Sequence, residues 1–179
     1  MLIWLHQYRY YICYVMIHFQ LFFQFLYSNL CKFCVLLLDR FPEVAQLCDV
    51  CWLEIHGMIN TIVLSPNTQY AAYAVFKMIE SWGFQNRPVE LSVSVEGGHS
   101  STTNVCLDPI VEGTPHPGVV GLQSPSVRTD GWLEIEMGEF FNSGIENEEV
   151  HMNFMEIKGG NWKRGLFLEG IEVRPKEDN

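Results

Sequence analysis

Four segments of this chain alternate apolar and polar residues with a period of two, the pattern of a pleated strand with one wet face. In "PVELSVSVEGG", Val89, Leu91, Val93 and Val95 alternate with Glu90, Ser92, Ser94 and Glu96 before a Gly-Gly turn. "GWLEIEMGEFF" sets Leu133, Ile135 and Met137 against Trp132, Glu134 and Glu136, and "VHMNFMEI" puts Val150, Met152 and Phe154 on one face. "GLFLEGIEVRP" adds Leu166, Leu168, Ile171 and Val173, where Gly170 suggests a bulge or a bend. Short strands separated by turn residues predict an all-β sandwich. "TQYAAYAVFKMIES" is left open, because its alanines favour helix while Tyr, Val, Phe and Ile suit a pleated surface. Gly, Pro, Ser and Asn gather around 97–104 and 112–126, which predicts long exposed loops there.

A chain of 179 residues, 48% hydrophobic, is long enough for one domain with a real core. All 21 acidic residues and nine of the 11 basic ones lie from Asp39 onward, giving that part a formal charge of −12. Such a domain repels phosphate backbones and anionic lipid, so neither nucleic acid nor a membrane surface is its expected partner. Residues 1–38 are of another kind: five Phe, five Tyr, eight Leu and no Asp or Glu. They are expected to be a hydrophobic leader outside the domain. A misread gene start, a membrane anchor and a secretory signal all remain open for it, although no small-residue cleavage site follows the apolar stretch.

Two Cys-x-x-Cys pairs, Cys31/Cys34 and Cys48/Cys51, have a spacing close to that of zinc ribbons. Neither pair is followed by the Gly, Pro or Asn that a knuckle needs to reverse around an ion. Cys51 instead runs into the alternating "WLEI" and is expected in a strand, so no metal is expected. No nucleophile, phosphate-cradling or zinc-protease motif is present, and His99 in "EGGHSSTTN" reads as a solvated loop residue. The carboxylates of "ENEEVHMNFMEI" read as a charged strand edge. Neither catalysis nor a cofactor is expected. Trp52, Trp132 and Trp162 are expected to pack in the core, the commonest place for tryptophan.

"RFPEVAQLCDVCWLEIHGMINT", "LSPNTQYAAYAVFK", "RTDGWLEIEMGEFFN" and "MEIKGGNWKRGLFLEGIEVRP", in that order, closely resemble the plant phloem protein 2 family, which includes the tobacco-leaf lectin type. The resemblance runs from about Arg40 to Lys176 and is nearest to the branch in which this domain follows an F-box; no F-box is read in these residues. It implies a β-sandwich of jelly-roll type spanning 39–179. It further implies binding of glycans or glycoproteins, with N-acetylglucosamine oligomers and N-glycan cores as ligands. Cytoplasmic and nuclear residence, a homodimer, and ubiquitin-ligase components as partners where an F-box is present are implied as well.

By motif, the glutamates that the family uses for sugar fall on Glu149 and Glu156. Residues seven apart on a flat strand point to opposite faces, so a shared site requires a bulge or bend between them. Glu156→Gln is expected to weaken glycan binding with little loss of fold. Residues 1–38 do not match the family segment whose tryptophans help form the sugar site. A protein-recruiting module and a degenerate paralogue that no longer binds therefore stand beside the lectin reading.

Overall fold

The computed structural model describes residues 11–12, 14–16, 33–38, 41–85, 87–108, 117–145 and 147–176. These hold β1 (Tyr11–Ile12), β2 (Tyr14–Met16), β3 (Phe33–Leu38), β4 (Phe41–Leu47), β5 (Leu53–Asn60) and β6 (Thr68–Trp82). They continue with β7 (Pro88–Val95), β8 (Ser100–Cys106), β9 (Ser126–Val127), β10 (Leu133–Asn142), β11 (Glu149–Glu156) and β12 (Arg164–Pro175). The larger sheet has the order β3-β4-β12-β6-β10-β9, with β1 also beside β12; the smaller has the order β2-β5-β11-β7-β8. Every strand pairing within them is antiparallel. The chain is thus the all-β sandwich that its alternation predicts.

The core lies between the sheets. Ile55, Val89, Leu91, Val150 and Met152 from the smaller sheet meet Ala72, Ala74, Phe76, Ile135 and Ile171 from the larger, all essentially inaccessible to solvent. The alternation read in β7 and β11 is kept residue for residue. In β12 the register shifts between Leu168 and Gly170, at the residue where a bulge or bend is expected. Three further shifts, between Arg164 and Leu166 of β12, Glu136 and Gly138 of β10 and Leu36 and Leu38 of β3, have no counterpart in the expectations.

The ambiguous segment is β6, a central strand of 15 residues between β10 and β12. It is buried on both faces through most of its first half, so it loses the alternation that marks a half-wet strand, and its small alanines let both faces be covered closely. The loop expected at 97–104 is corrected. Only its first residues turn, and Ser100–Cys106 form β8, paired with β7 from Pro88↔Cys106 to Ser94↔Ser100. β3 lies inside the segment expected to stand outside the domain and pairs with β4 from Phe33↔Leu47 to Leu38↔Phe41.

The sandwich has two distinct ends. At the far end Asn142 is buried, and its amide donates to the carbonyls of Thr61, Leu64 and Ser65 while its oxygen accepts from Gly144 N–H. That one side chain ties two connections to the sheet. On the outer face of the larger sheet, Arg128 bonds Glu172 at 2.9 Å, Arg174 bonds Glu134 at 2.8 Å, and Lys176 pairs with Glu139. The near end is where β5 and β12 begin and β6 and β11 finish, with Leu53 opposite Glu156 and Trp82 opposite Arg164.

Candidate functional site

Three connections meet at the near end: 48–52 before β5, 83–87 after β6 and 157–163 between β11 and β12. The first and third are joined by backbone, since Val50 N–H donates to Lys163 O at 2.9 Å and Lys163 N–H donates back to Val50 O at 2.6 Å. Gly83 brings the second against them. At φ +89° it adopts a conformation that other residues rarely take, and a Cβ there would collide with the Trp162 carbonyl.

Lys163 is the hub. It is fully buried, and its ammonium donates to the carbonyls of Cys51 and Asn161, each at 2.8 Å, while forming an ion pair with the Glu156 carboxylate. A lysine without access to water persists only when its charge and donors are matched, and here all are spent inside the protein. Glu156 in turn accepts from Gly159 N–H through Oε1 at 2.8 Å, and a side chain on Gly159 would press against that same oxygen. Cys51 adds an S–H donated to Gly160 O at 3.2 Å. The buried pair therefore holds the backbone of both connections in place.

Both connections carry tryptophan at the surface. Trp52 is 62% exposed and Trp162 is 43% exposed; Trp82 and Ile157 are exposed beside them in sequence register. The expectation that Trp52 and Trp162 pack in the core is thus corrected. It holds for Trp132, which is buried against Val44 and Val75 under the Lys77 ammonium, 4.5 Å from the ring centroid. At the same end lies a cleft of about 170 Å³ whose lining includes Arg87, Glu90, Asn104, Glu156, Lys158 and Gly159 but no tryptophan. Lys158 bonds Glu90 at 2.9 Å, which raises the pKa of its ammonium, and the Asn161 amide, oriented to fit, accepts from Arg87 at 3.0 Å. The cleft thus offers both donors and acceptors, with Pro88, Met155 and Ile157 as its apolar wall.

The structure does not bring Glu149 and Glu156 together. β11 pairs without a register shift with both β5 and β7, so no bulge brings the two to one face. Glu156 points into the sandwich in the series of Val150, Met152 and Phe154. Glu149 points outward and about 20 Å away along the strand, its Oε2 3.6 Å from His151 Nε2. On that outer face His56 and Asn153 share a 2.6 Å hydrogen bond, and Asn153 donates to Ser92.

Of the cysteines, Cys51 lies in a bend before β5 and not in the strand, while Cys31 lies outside the described residues. Among the described residues no three His, Cys, Asp or Glu side chains group as metal ligands do. Reading the sequence for function misses Lys163, Gly159 and Arg87. A buried lysine has the same letter as a solvated one, and only the "GGNW" before it marks a constrained turn.

The profile of the family described as "Phloem protein 2" matches residues 28–175. Among curated proteins of Arabidopsis thaliana, F-box protein PP2-B10 is 46% identical over 140 residues, 76% of this chain and 50% of that protein. Putative F-box protein PP2-B8 is 42% identical over 144 residues, 76% of this chain and 47% of that protein. The chain therefore spans about half the length of these relatives. Among solved structures, the CBM22-1 xylan-binding domain of Paenibacillus barcinonensis Xyn10C aligns over 83% of each chain at 10% identity with a TM-score of 0.38, too slight a likeness to build on. With its profile matched across most of the sequence and its relatives this close, the chain belongs to the phloem protein 2 family.

Proposed function

We propose that this domain binds carbohydrate without catalysis, taking N-acetylglucosamine oligomers or the core of N-glycans at the near end of the sandwich. The observation that carries the reading is the pair of exposed tryptophans, Trp52 and Trp162, whose backbone connections are both fixed by the buried Lys163. Indole faces stack on the apolar faces of pyranose rings, and the cleft at the same end of the sandwich offers hydroxyls and acetamido groups both donors and acceptors. Rigid positioning matters because a flexible aromatic loses rotamer freedom on every binding event. Glu156 serves this site by holding the loop and not by meeting sugar, while Glu149 lies outside it.

The test is calorimetric titration with chitotriose and an N-glycan core pentasaccharide. Trp162→Ala and Trp52→Ala are each expected to weaken binding about tenfold, the size of a contact that matters in an interface, while Ile145→Ala at the far end leaves it unchanged. Unchanged affinity in both tryptophan variants overturns the placement, and no binding by the parent chain overturns the function.

A second reading has support in the names of the relatives, which are F-box proteins: the domain as the target-recruiting part of a ubiquitin-ligase adaptor. Capture of target proteins that survives their enzymatic deglycosylation supports recruitment through protein surface. Capture that is lost with the glycan supports recruitment through sugar.

A further inference from the structure

Four charged side chains line the near-end cleft: Arg87, Glu90, Glu156 and Lys158. Two pairings spend three of them. Lys158 bonds Glu90 at 2.9 Å, and the buried Lys163 neutralises Glu156. Arg87 is left over, because among the described residues no carboxylate forms an ion pair with it. In a chain with a formal charge of −10, this cleft therefore holds a single uncompensated positive charge.

Arg87 is also oriented. The Asn161 amide oxygen accepts from its Nη2 at 3.0 Å and from its Nε at 3.3 Å, which occupies one edge of the guanidinium plane. The other edge, Nη1 with the second hydrogen of Nη2, meets no acceptor among the described residues. Two parallel N–H donors on one edge take a carboxylate through both of its oxygens. Pro88, Met155 and Ile157 stand beside them as an apolar wall, and Asn104 adds an amide. At about 170 Å³ the cleft is smaller than the roughly 300 Å³ at which pockets for whole ligands begin, so it takes one unit of a longer ligand.

We infer that this cleft is an acid subsite, in which Arg87 receives the carboxylate of a uronic acid unit within a saccharide bound at the near end. The inference rests on the carbohydrate reading above and adds the charge of the ligand to it. A carboxylate brings one negative charge to match one cation. A phosphate monoester brings nearly two, and the excess faces Glu90 and Glu156. Arg87 is exposed in the free protein and gives up water on binding, so the net gain is that of one charge-assisted pair, about tenfold in affinity.

Calorimetric titration of the full chain tests this with a matched pair of probes. One is a tetrasaccharide of alternating glucuronate and N-acetylglucosamine; the other is the same tetrasaccharide with each carboxylate reduced to a primary alcohol. Chitotriose is titrated alongside as a neutral reference. The parent is expected to bind the acidic probe about tenfold more tightly than the reduced one. In Arg87→Gln, which keeps a donor for Asn161, that ratio is expected to fall to about one; Arg87→Lys, which keeps the charge without the fork, lies between. A parent that binds chitotriose but takes both tetrasaccharides equally overturns the inference and leaves the carbohydrate reading standing. An Arg87→Gln variant that retains the parent's ratio overturns it as well. A parent that binds the acidic probe and not chitotriose upholds the acid subsite and removes N-acetylglucosamine oligomers as the ligand. Binding of none of the three overturns both.

Discussion

Replacing Glu156 by glutamine tests whether its carboxylate supports the fold or waits for a ligand. Lys163 is fully buried and Glu156 is 5% exposed, so their charges see little water. Removing one charge of a buried pair leaves the other uncompensated, at about 3–5 kcal/mol. The glutamine amide still offers one oxygen, for which Gly159 N–H and the Lys163 ammonium compete. We expect the lower part of that range, about 3 kcal/mol, against a total stability of about 5–15 kcal/mol for a domain. In thermal unfolding this is a fall of about 10 °C for a domain of this size.

Urea unfolding followed by tryptophan fluorescence measures the loss, and Lys163→Met completes a double-mutant cycle. The double variant is expected to be more stable than Glu156→Gln alone, because the stranded charge has gone. A Glu156→Gln protein within about 0.5 kcal/mol of the parent that has lost glycan binding refutes the argument. It restores the role that the family resemblance gives this residue.

Two other perturbations probe the frame. Asn142→Ala removes the buried amide that gathers three carbonyls and is expected to cost about 2–3 kcal/mol, with new protease sensitivity in the 61–67 and 143–148 connections; a loss below about 1 kcal/mol contradicts the assignment. Glu139 has its pKa lowered, first by the hydrogen bond from Lys176, so its contribution to stability is present above the ordinary carboxylate pKa and is lost as pH falls through the depressed folded value. In Lys176→Ala the Glu139 carboxyl is expected to titrate higher by NMR, and an unmoved titration removes the pairing.

Where one face of a strand is wet and the other dry, the sequence displays the strand, and β7, β10, β11 and β12 are legible for that reason. β6 is not, because burial of both faces erases the alternation. β8 is missed for the opposite reason: "SSTTN" has no apolar face to alternate, and the β-preference of threonine is its only signal. The parity of Glu149 and Glu156 can be read from their separation, and the structure keeps it. What hides the site is that exposure and burial are properties of the assembled fold. Trp52 and Trp162 look like core residues, and Lys163 looks like a surface one. Both impressions invert because three distant connections converge at one end of the sandwich.

The Lys163 hub also has a consequence for when the near end can form. Its bond to Cys51 spans 112 residues of chain, so its closure must wait for nearly the whole domain to be available. On a ribosome, the connections bearing the two exposed tryptophans stay unfixed until β12 has emerged and docked. A chain interrupted before that strand lacks the partner that joins β4 to β6 and leaves the near end unfixed. In this protein, the assembled near end reports that folding is complete.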